Sequence, residues 1–263
     1  MKYRSILCYA LISVVLCALT PAAFSQARPG SGSTGFRAGL SLGYFSRTLD
    51  LNEEVQATIP KMTSLLASLV LEYEFQPGFS LAAHVGYSSS TFDGLIFRRL
   101  PYSIEFGSEA GAIGGIVVGA EVEKSVVGVG TFGVDILGQF FASLGLNKKW
   151  NLPGLAVDGS VKGKPVWMKA SLGPVLSYRG WEGVTPFLYP RFDYLWGSFE
   201  LEQTVKDLKG SEKKDVKGKS RFGLGLGADF RLFSSLRFRG EAGLYPRRSG
   251  TDYSFTVQTL LAF

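Results

Sequence analysis

Taking every second residue from Phe36 gives Phe36, Ala38, Leu40, Leu42 and Tyr44, whereas the residues between them are Arg37, Gly39, Ser41 and Gly43. Alternation with a period of two predicts a β-strand with two unlike faces. The pattern returns along the chain, with apolar faces over Leu65–Phe75, Phe79–Tyr87, Ile116–Val122, Phe132–Leu144, Val166–Tyr178, Leu188–Trp196, Phe222–Leu232, Leu236–Leu244 and Tyr253–Phe263. None of these ten faces carries a charge. The expected fold is therefore all-β with ten strands. Eight or twelve are the alternatives, because Tyr102, Ile104 and Phe106, within Ser89–Ile113, either extend a strand or belong to a packed loop.

The opposite faces hold the charges. They carry the acids Glu72, Glu74, Glu121, Glu123, Asp135, Asp193, Asp229 and Glu241, and the bases Arg37, Lys169, Arg179, Arg191, Arg221, Arg231, Arg237 and Arg239. A water-soluble barrel would turn the apolar face inward, and alternation alone fits that too. The strand ends decide the matter. Phe36, Tyr73, Phe75, Phe79, Tyr178, Phe230, Phe238 and Phe263 fall at one end, and Tyr44, Tyr87, Trp196, Phe222 and Tyr253 at the other. Two aromatic girdles around a Leu/Val/Ala band suit a barrel in a bilayer and serve no purpose in a soluble core. Connection lengths agree: short turns near Gln76–Gly78, Glu123–Ser125, Gly180–Gly183 and Phe233–Ser235 alternate with long segments at Ser46–Lys61, Ser89–Ile113, Leu146–Pro165 and Glu200–Ser220, with a tighter connection at Arg247–Gly250. That alternation places short turns on one side of a membrane and long loops on the other.

The start of the chain names a compartment. Met1–Arg4 is basic, Ile6–Leu19 is an apolar run too short to span a membrane, and Ala22, Ala23 and Ser25 supply small residues for cleavage. Residues 1–25 thus read as a signal peptide, 26–35 as a short periplasmic segment and 36–263 as the barrel. Cys8 and Cys17 both lie in the removed segment, so no disulfide holds the exported domain. Cleavage removes Lys2 and Arg4 and no acid, lowering the formal net charge from +6 to +4, which gives no indication of a nucleic-acid partner.

These residues resemble the small outer-membrane β-barrel proteins of Gram-negative-type bacteria over about Phe36–Phe263. In that family a final phenylalanine preceded by alternating apolar residues is read by the barrel-assembly machinery, and Tyr253, Phe255, Val257, Thr259, Leu261 and Phe263 match that signal. The resemblance implies bacterial outer-membrane localisation, with lipid and lipopolysaccharide as surroundings and the assembly machinery as a partner during biogenesis.

The chemistry-bearing motifs are few. Gly223-Leu224-Gly225-Leu226-Gly227 has the spacing of a strand rather than of a phosphate loop, and no helix follows it; its glycines make room inside a barrel. His84 is the only histidine, so no cofactor or metal site is expected. Outer-membrane hydrolases of the omptin and lipid A deacylase types use a histidine, but Ala83-His84-Val85-Gly86-Tyr87-Ser88 lacks the close His-x-Ser spacing of the deacylases. Lys206–Lys219 holds six lysines and three acids and reads as a solvated hairpin tip, or as a contact for lipopolysaccharide or an extracellular partner. The balance of inward charge predicts a lumen network of Arg37, Glu72, Glu74, Glu121, Glu123, Arg179, Arg191, Asp193, Asp229, Arg231, Arg237, Arg239 and Glu241. The expected role is non-enzymatic, structural or adhesive at the cell surface, with a narrow channel for small polar solutes or ions as the alternative and a hydrolase as a remote one.

Overall fold

The computed structural model describes residues 35–51, 59–107, 110–151, 159–232 and 235–263. The expected signal peptide and nearly all of the short segment after it lie outside these residues. In chain order the strands are β1 (Phe36–Leu51), β2 (Lys61–Gln76), β3 (Phe79–Asp93), β4 (Leu95–Phe97), β5 (Ile104–Phe106), β6 (Ile113–Val129) and β7 (Phe132–Gly145). They continue as β8 (Lys148–Asn151), β9 (Gly159–Tyr178), β10 (Val184–Val205), β11 (Leu208–Gly218), β12 (Phe222–Arg231), β13 (Leu236–Arg247) and β14 (Gly250–Ala262).

Twelve of these fourteen described strands form one sheet, more than the ten expected. Following the antiparallel pairings, a closed ring runs β1-β2-β3-β6-β7-β9-β10-β12-β13-β14 and returns to β1. The ten segments read from alternation are the ten strands of that ring. The additional strands β8 and β11 pair only beyond the ring's upper part, and β4 and β5 pair with each other. Closure gives the backbone groups of each ring strand a partner on both sides, which lipid requires because it supplies none. The last pairing is the β1–β14 seam, from Arg37↔Ala262 to Ser46↔Tyr253.

The apolar face points outward. Leu40, Leu69, Val85, Val118, Ile136, Leu172, Phe192, Leu226, Leu244 and Val257, one from each ring strand, are all exposed, Leu69 by 64%. In water each such side chain would forgo roughly 1.5–3 kcal/mol of burial. Ten together, each about half exposed, would forgo an amount comparable with the ~5–15 kcal/mol by which a domain is typically stable. Only a lipid surround recovers that energy. Aromatic contacts mark both rims: Phe36–Tyr73, Tyr73–Phe75 and Phe75–Phe79 at the short-turn end, and Tyr44–Tyr253 and Tyr194–Trp196 at the other. Gly78, at φ 80°, makes the tight turn between β2 and β3.

Above the second girdle the wall continues, where long loops were expected. The expected loop Ser46–Lys61 begins as strand, with β1 reaching Leu51; Glu200–Ser220 is mostly the β10–β11 hairpin; Leu146–Pro165 contains β8 and the start of β9; Ser89–Ile113 contains the end of β3 with β4 and β5. Beside the ring pairings, β11 also joins β1 through Leu49↔Gly218, Asp50↔Lys217 and Leu51↔Val216. The alternation persists but its sense inverts at the girdle. On β10, Leu195, Phe199, Leu201 and Val205 are buried inside, while Glu200, Glu202 and Thr204 face outward and are exposed. This upper storey is therefore a water-facing extension of the wall, stacked on a lipid-facing barrel.

A charge at mid-band should reveal the boundary. Leu69→Arg is expected to cost about 2–4 kcal/mol, whereas Thr204→Arg, on the outer face of the upper storey, should stay within ~0.5 kcal/mol. Denaturant unfolding of the refolded protein in lipid vesicles would read both, and equal costs would put the membrane band in the wrong place.

Candidate functional site: the barrel interior

The interior is built in layers, each set by the inward residues of successive strands. The floor lies at the short-turn end. Arg37 donates to Glu72 and, at 2.5 Å, to Glu74 Oε2, and the Gly78 amide donates to Glu74 Oε1 at 3.2 Å. Arg179 Nη2 donates to Asp135 Oδ2 at 3.0 Å, Ser125 donates to the same carboxylate, and Arg237 grips Asp229 with two bonds of 3.2 and 3.0 Å. Arg239 Nη1 donates to Glu123 Oε2 at 3.1 Å and stacks 4.7 Å from the Phe187 ring centroid. Leu137, Val175, Phe187 and Tyr189 pack as a small apolar cluster beside this layer.

Above the floor is a polar cavity of about 50 Å³, room for a few water-sized occupants. Ser41, His84, Glu121, Gln139, Phe141, Lys169, Arg191, Arg239, Glu241, Thr256 and Gln258 line it. Gln139 Nε2 donates to Glu121 Oε2 at 2.8 Å and Ser171 donates to Gln139 Oε1 at 3.1 Å. His84 is buried with its ring edge toward Phe141, Nδ1 3.4 Å from Ser68 Oγ and Nε2 3.9 Å from Glu121 Oε2. Ser68, His84 and Glu121 thus stand in line, but both contacts are long and Ser68 lies outside the cavity lining. The inward glycines of β12 make room here: a Cβ at Gly223 would meet the Tyr245 ring at 2.6 Å, and one at Gly227 would meet Phe187 at 2.4 Å.

The next layer is held by Arg47 and Asp193, both almost wholly buried. Arg47 Nη1 donates to Asp193 Oδ1 at 2.5 Å and Nη2 to the Ser220 carbonyl at 2.6 Å, and the guanidinium lies 3.9 Å from the Tyr245 ring centroid. Asp252 accepts from the Thr48 amide and hydroxyl, each at 2.9 Å, and from Arg247 Nε at 3.0 Å. Arg191 donates to Glu241 and, at 2.7 Å, to the Tyr245 hydroxyl. These contacts tie β1 to β10 and β13 across the interior and to its neighbour β14.

An apolar core fills the upper storey. Phe45, Met62, Phe92, Leu95, Phe97, Phe106, Trp167, Leu195, Phe199 and Leu201 belong to it, with Phe97, Phe106 and Trp150 meeting neighbouring rings edge to face. The β4–β5 hairpin enters this core from above. Its tip is fastened where the Arg99 amide donates to Glu212 Oε2 at 2.7 Å and the Tyr102 amide to Gln203 Oε1 at 2.8 Å. Ile104 and Phe106 are thus a strand packed inside the barrel mouth, which joins the two readings left open by the sequence.

A ring closed on itself, apolar outside and charged within, decides the class. The fold is that of an outer-membrane β-barrel. No family model and no curated protein matches the chain. Among solved structures, the chain is similar to the translocator domain of the autotransporter NalP from Neisseria meningitidis, at 10% identity and a TM-score of 0.46, covering 89% of this chain and 91% of that one. It is also similar to the outer membrane protease OmpT from Escherichia coli, at 10% identity, a TM-score of 0.43 and coverages of 89% and 99%. The attachment invasion locus protein Ail of Yersinia pestis matches at 12% identity, a TM-score of 0.32 and coverages of 88% and 100%. At these scores no activity, ligand or partner passes to this barrel.

Of the lumen residues expected from the sequence, all but one sit in the layers just described. Arg231 is the exception: it is exposed at the end of β12 and enters none of the ion pairs among the described residues. It lies at the end of its strand, opposite Arg237, where like charge gives no reason to fold inward. Arg47, Tyr245 and Asp252 were missed as members of the network. Arg47 fell in a presumed loop, Tyr245 just beyond the expected end of its strand, and Asp252 just before the start of another. Continuing the odd-numbered positions of β1 past Phe45 would have found Arg47.

The two charged layers should differ in energetic weight. Arg47→Ala leaves Asp193 buried without its main partner and is expected to cost about 3–5 kcal/mol. Arg37→Ala, where the guanidinium is partly solvated but Glu72 and Glu74 are buried, should cost more than the ~0–1 kcal/mol of an exposed pair and less than Arg47→Ala. Equilibrium unfolding of both variants would check this ordering.

Proposed function

We propose that this barrel is a closed, non-enzymatic element of the bacterial outer membrane whose upper storey works at the cell surface, in a structural or adhesive role. The observation that supports this reading is the apolar core packed inside the outer mouth, whose buried side chains fill much of the interior above the cavity. The charged floor adds a second closure at the other end. The outer face of the β9–β11 sheet, with exposed Lys164, Lys209 and Lys213 beside Glu200 and Glu202, offers a surface to lipopolysaccharide or an extracellular partner. In this reading β14 is also the segment recognised by the assembly machinery, with Phe263, its side chain exposed, as the last contact.

A second reading, a narrow channel, draws on the polar cavity between the two closures. Conductance in a planar bilayer separates the two. The wild type should be silent, and Arg237→Ala/Arg239→Ala should also be silent because the apolar core remains. Replacing residues 95–106 by a short Gly-Ser linker in that floor variant should produce steady current. Steady current in the wild type would instead put the channel first.

The assembly role has its own test. Phe263→Ala should lower the amount of folded barrel in the membrane while export continues, measured by heat-modifiable migration of membrane fractions; unchanged assembly would remove that role.

A further inference from the structure

Among the described residues, nine of the ten ladders in the ring run through the lipid-facing band without a missing pair, their two irregularities lying by the short turns at Glu74/Gln76 and Ser125/Val127. The β9–β10 ladder does not. It passes from Leu188↔Leu176 to Phe192↔Leu172 with no pair joining Tyr189, Pro190 and Arg191 to Gly173, Pro174 and Val175. Counting along both strands sets Pro190 opposite Pro174. Each stands in the interior of a central strand, where proline is rare because it cannot donate to a ladder.

The neighbouring ladders fix the direction of the missing donors. Pro190 and the residues beside it pair in full with β12, as Tyr189↔Gly225, Pro190↔Leu224 and Arg191↔Gly223. Pro174 and its neighbours pair in full with β7, as Leu137↔Gly173, Ile136↔Pro174 and Asp135↔Val175. Both proline nitrogens therefore face the seam that β9 and β10 share, and the cross-strand bonds this position would make are absent. Hydrocarbon supplies nothing in their place. Leu172, Leu176 and Phe192, exposed on either side of the gap, put it in the lipid-facing band. The strands still lie close together, since a Cβ at Gly173 would meet the Pro190 carbonyl oxygen at 2.1 Å. A shut seam held by fewer bonds than its neighbours is where the wall parts at least cost.

The interior behind that seam is apolar. Val175 and Tyr189, the inward neighbours of the two prolines, pack with Leu137 and Phe187, and all four are buried. The similar cluster of Val70, Ala82 and Leu260 stands behind unbroken ladders. We propose that the β9–β10 seam is a lateral door, through which the acyl chain of a surrounding lipid enters and lodges against Val175 and Tyr189. This goes beyond a barrel closed at its two ends, because the route crosses the wall and needs neither mouth.

A phosphatidylcholine carrying a diazirine at the middle of one acyl chain is the probe. The mature chain is refolded in vesicles of this lipid and irradiated, and the adducts are mapped by peptide mass spectrometry. Outward Leu172 and Leu176 should be labelled in every sample. The expected result is labelling of inward Val175 and Tyr189 as well, with none at Val70 or Leu260. Pro174→Val/Pro190→Val, which returns both donors to the seam, should lower the inward labelling by about tenfold and leave the outward labelling unchanged. Pro190→Val alone should lower it part of the way, which keeps the comparison open if the double variant fails to fold. Adducts confined to outward residues, inward labelling equal at Val70, or inward labelling indifferent to the proline replacements would each overturn the proposal.

Discussion

Backbone hydrogen bonding in lipid is the constraint from which the rest of this structure follows. A strand in hydrocarbon has no water to pair its amides and carbonyls, so the sheet must close and leave no edge. Here the pairing of β1 with β14 makes that closure. Once the ring is closed, its two faces have different solvents. The outer face must be apolar through the bilayer, and the inner face becomes the only place for charge.

That inner face then has to settle its own electrostatics. A lumen of this size cannot hydrate so many ionised groups as bulk water would, so nearly every charge is matched with an opposite one across neighbouring strands. Arg37 with Glu72 and Glu74 is a pairing between adjacent strands, whereas Arg47 with Asp193 and Arg239 with Glu123 reach across the lumen. The cross-lumen pairs hold opposite walls together, a task that an apolar core performs in a soluble barrel. Both solutions occur in this chain, one above the other, because the wall passes from lipid into water at the second girdle.

The inversion at that girdle explains the division of labour in the interior. Where the outer surface meets water, apolar side chains are free to turn inward, and they do so from Phe45 on β1 and Leu195 on β10 upward. The resulting core packs inside the outer mouth, and the charge pairs of the floor lie at the other end. The interior is thus organised by two independent physical causes, burial of apolar area above and charge pairing below.

The ten ring strands were written in the alternation, and the direction of their faces and the class of fold in the alternation together with the aromatic rims, since a period of two with an uncharged face leaves few choices once the rims are aromatic. The membership of the lumen network was legible wherever a charge stood on the face opposite that band, as with Glu123, Arg191 and Asp229. Arg231 failed because position on the inward face does not ensure a partner at a strand's end. The upper storey was invisible for a sharper reason. Its strands keep the same period, but their apolar residues occupy the other parity, so a search for one continuous uncharged face stops at Tyr44 and Trp196 and reads the remainder as loop. Only the tertiary structure brings β11 against β1, folds Phe97 and Phe106 into the mouth and sets Arg47 beside Asp193, because those contacts join residues far apart in the chain, and local alternation carries no record of which strands meet.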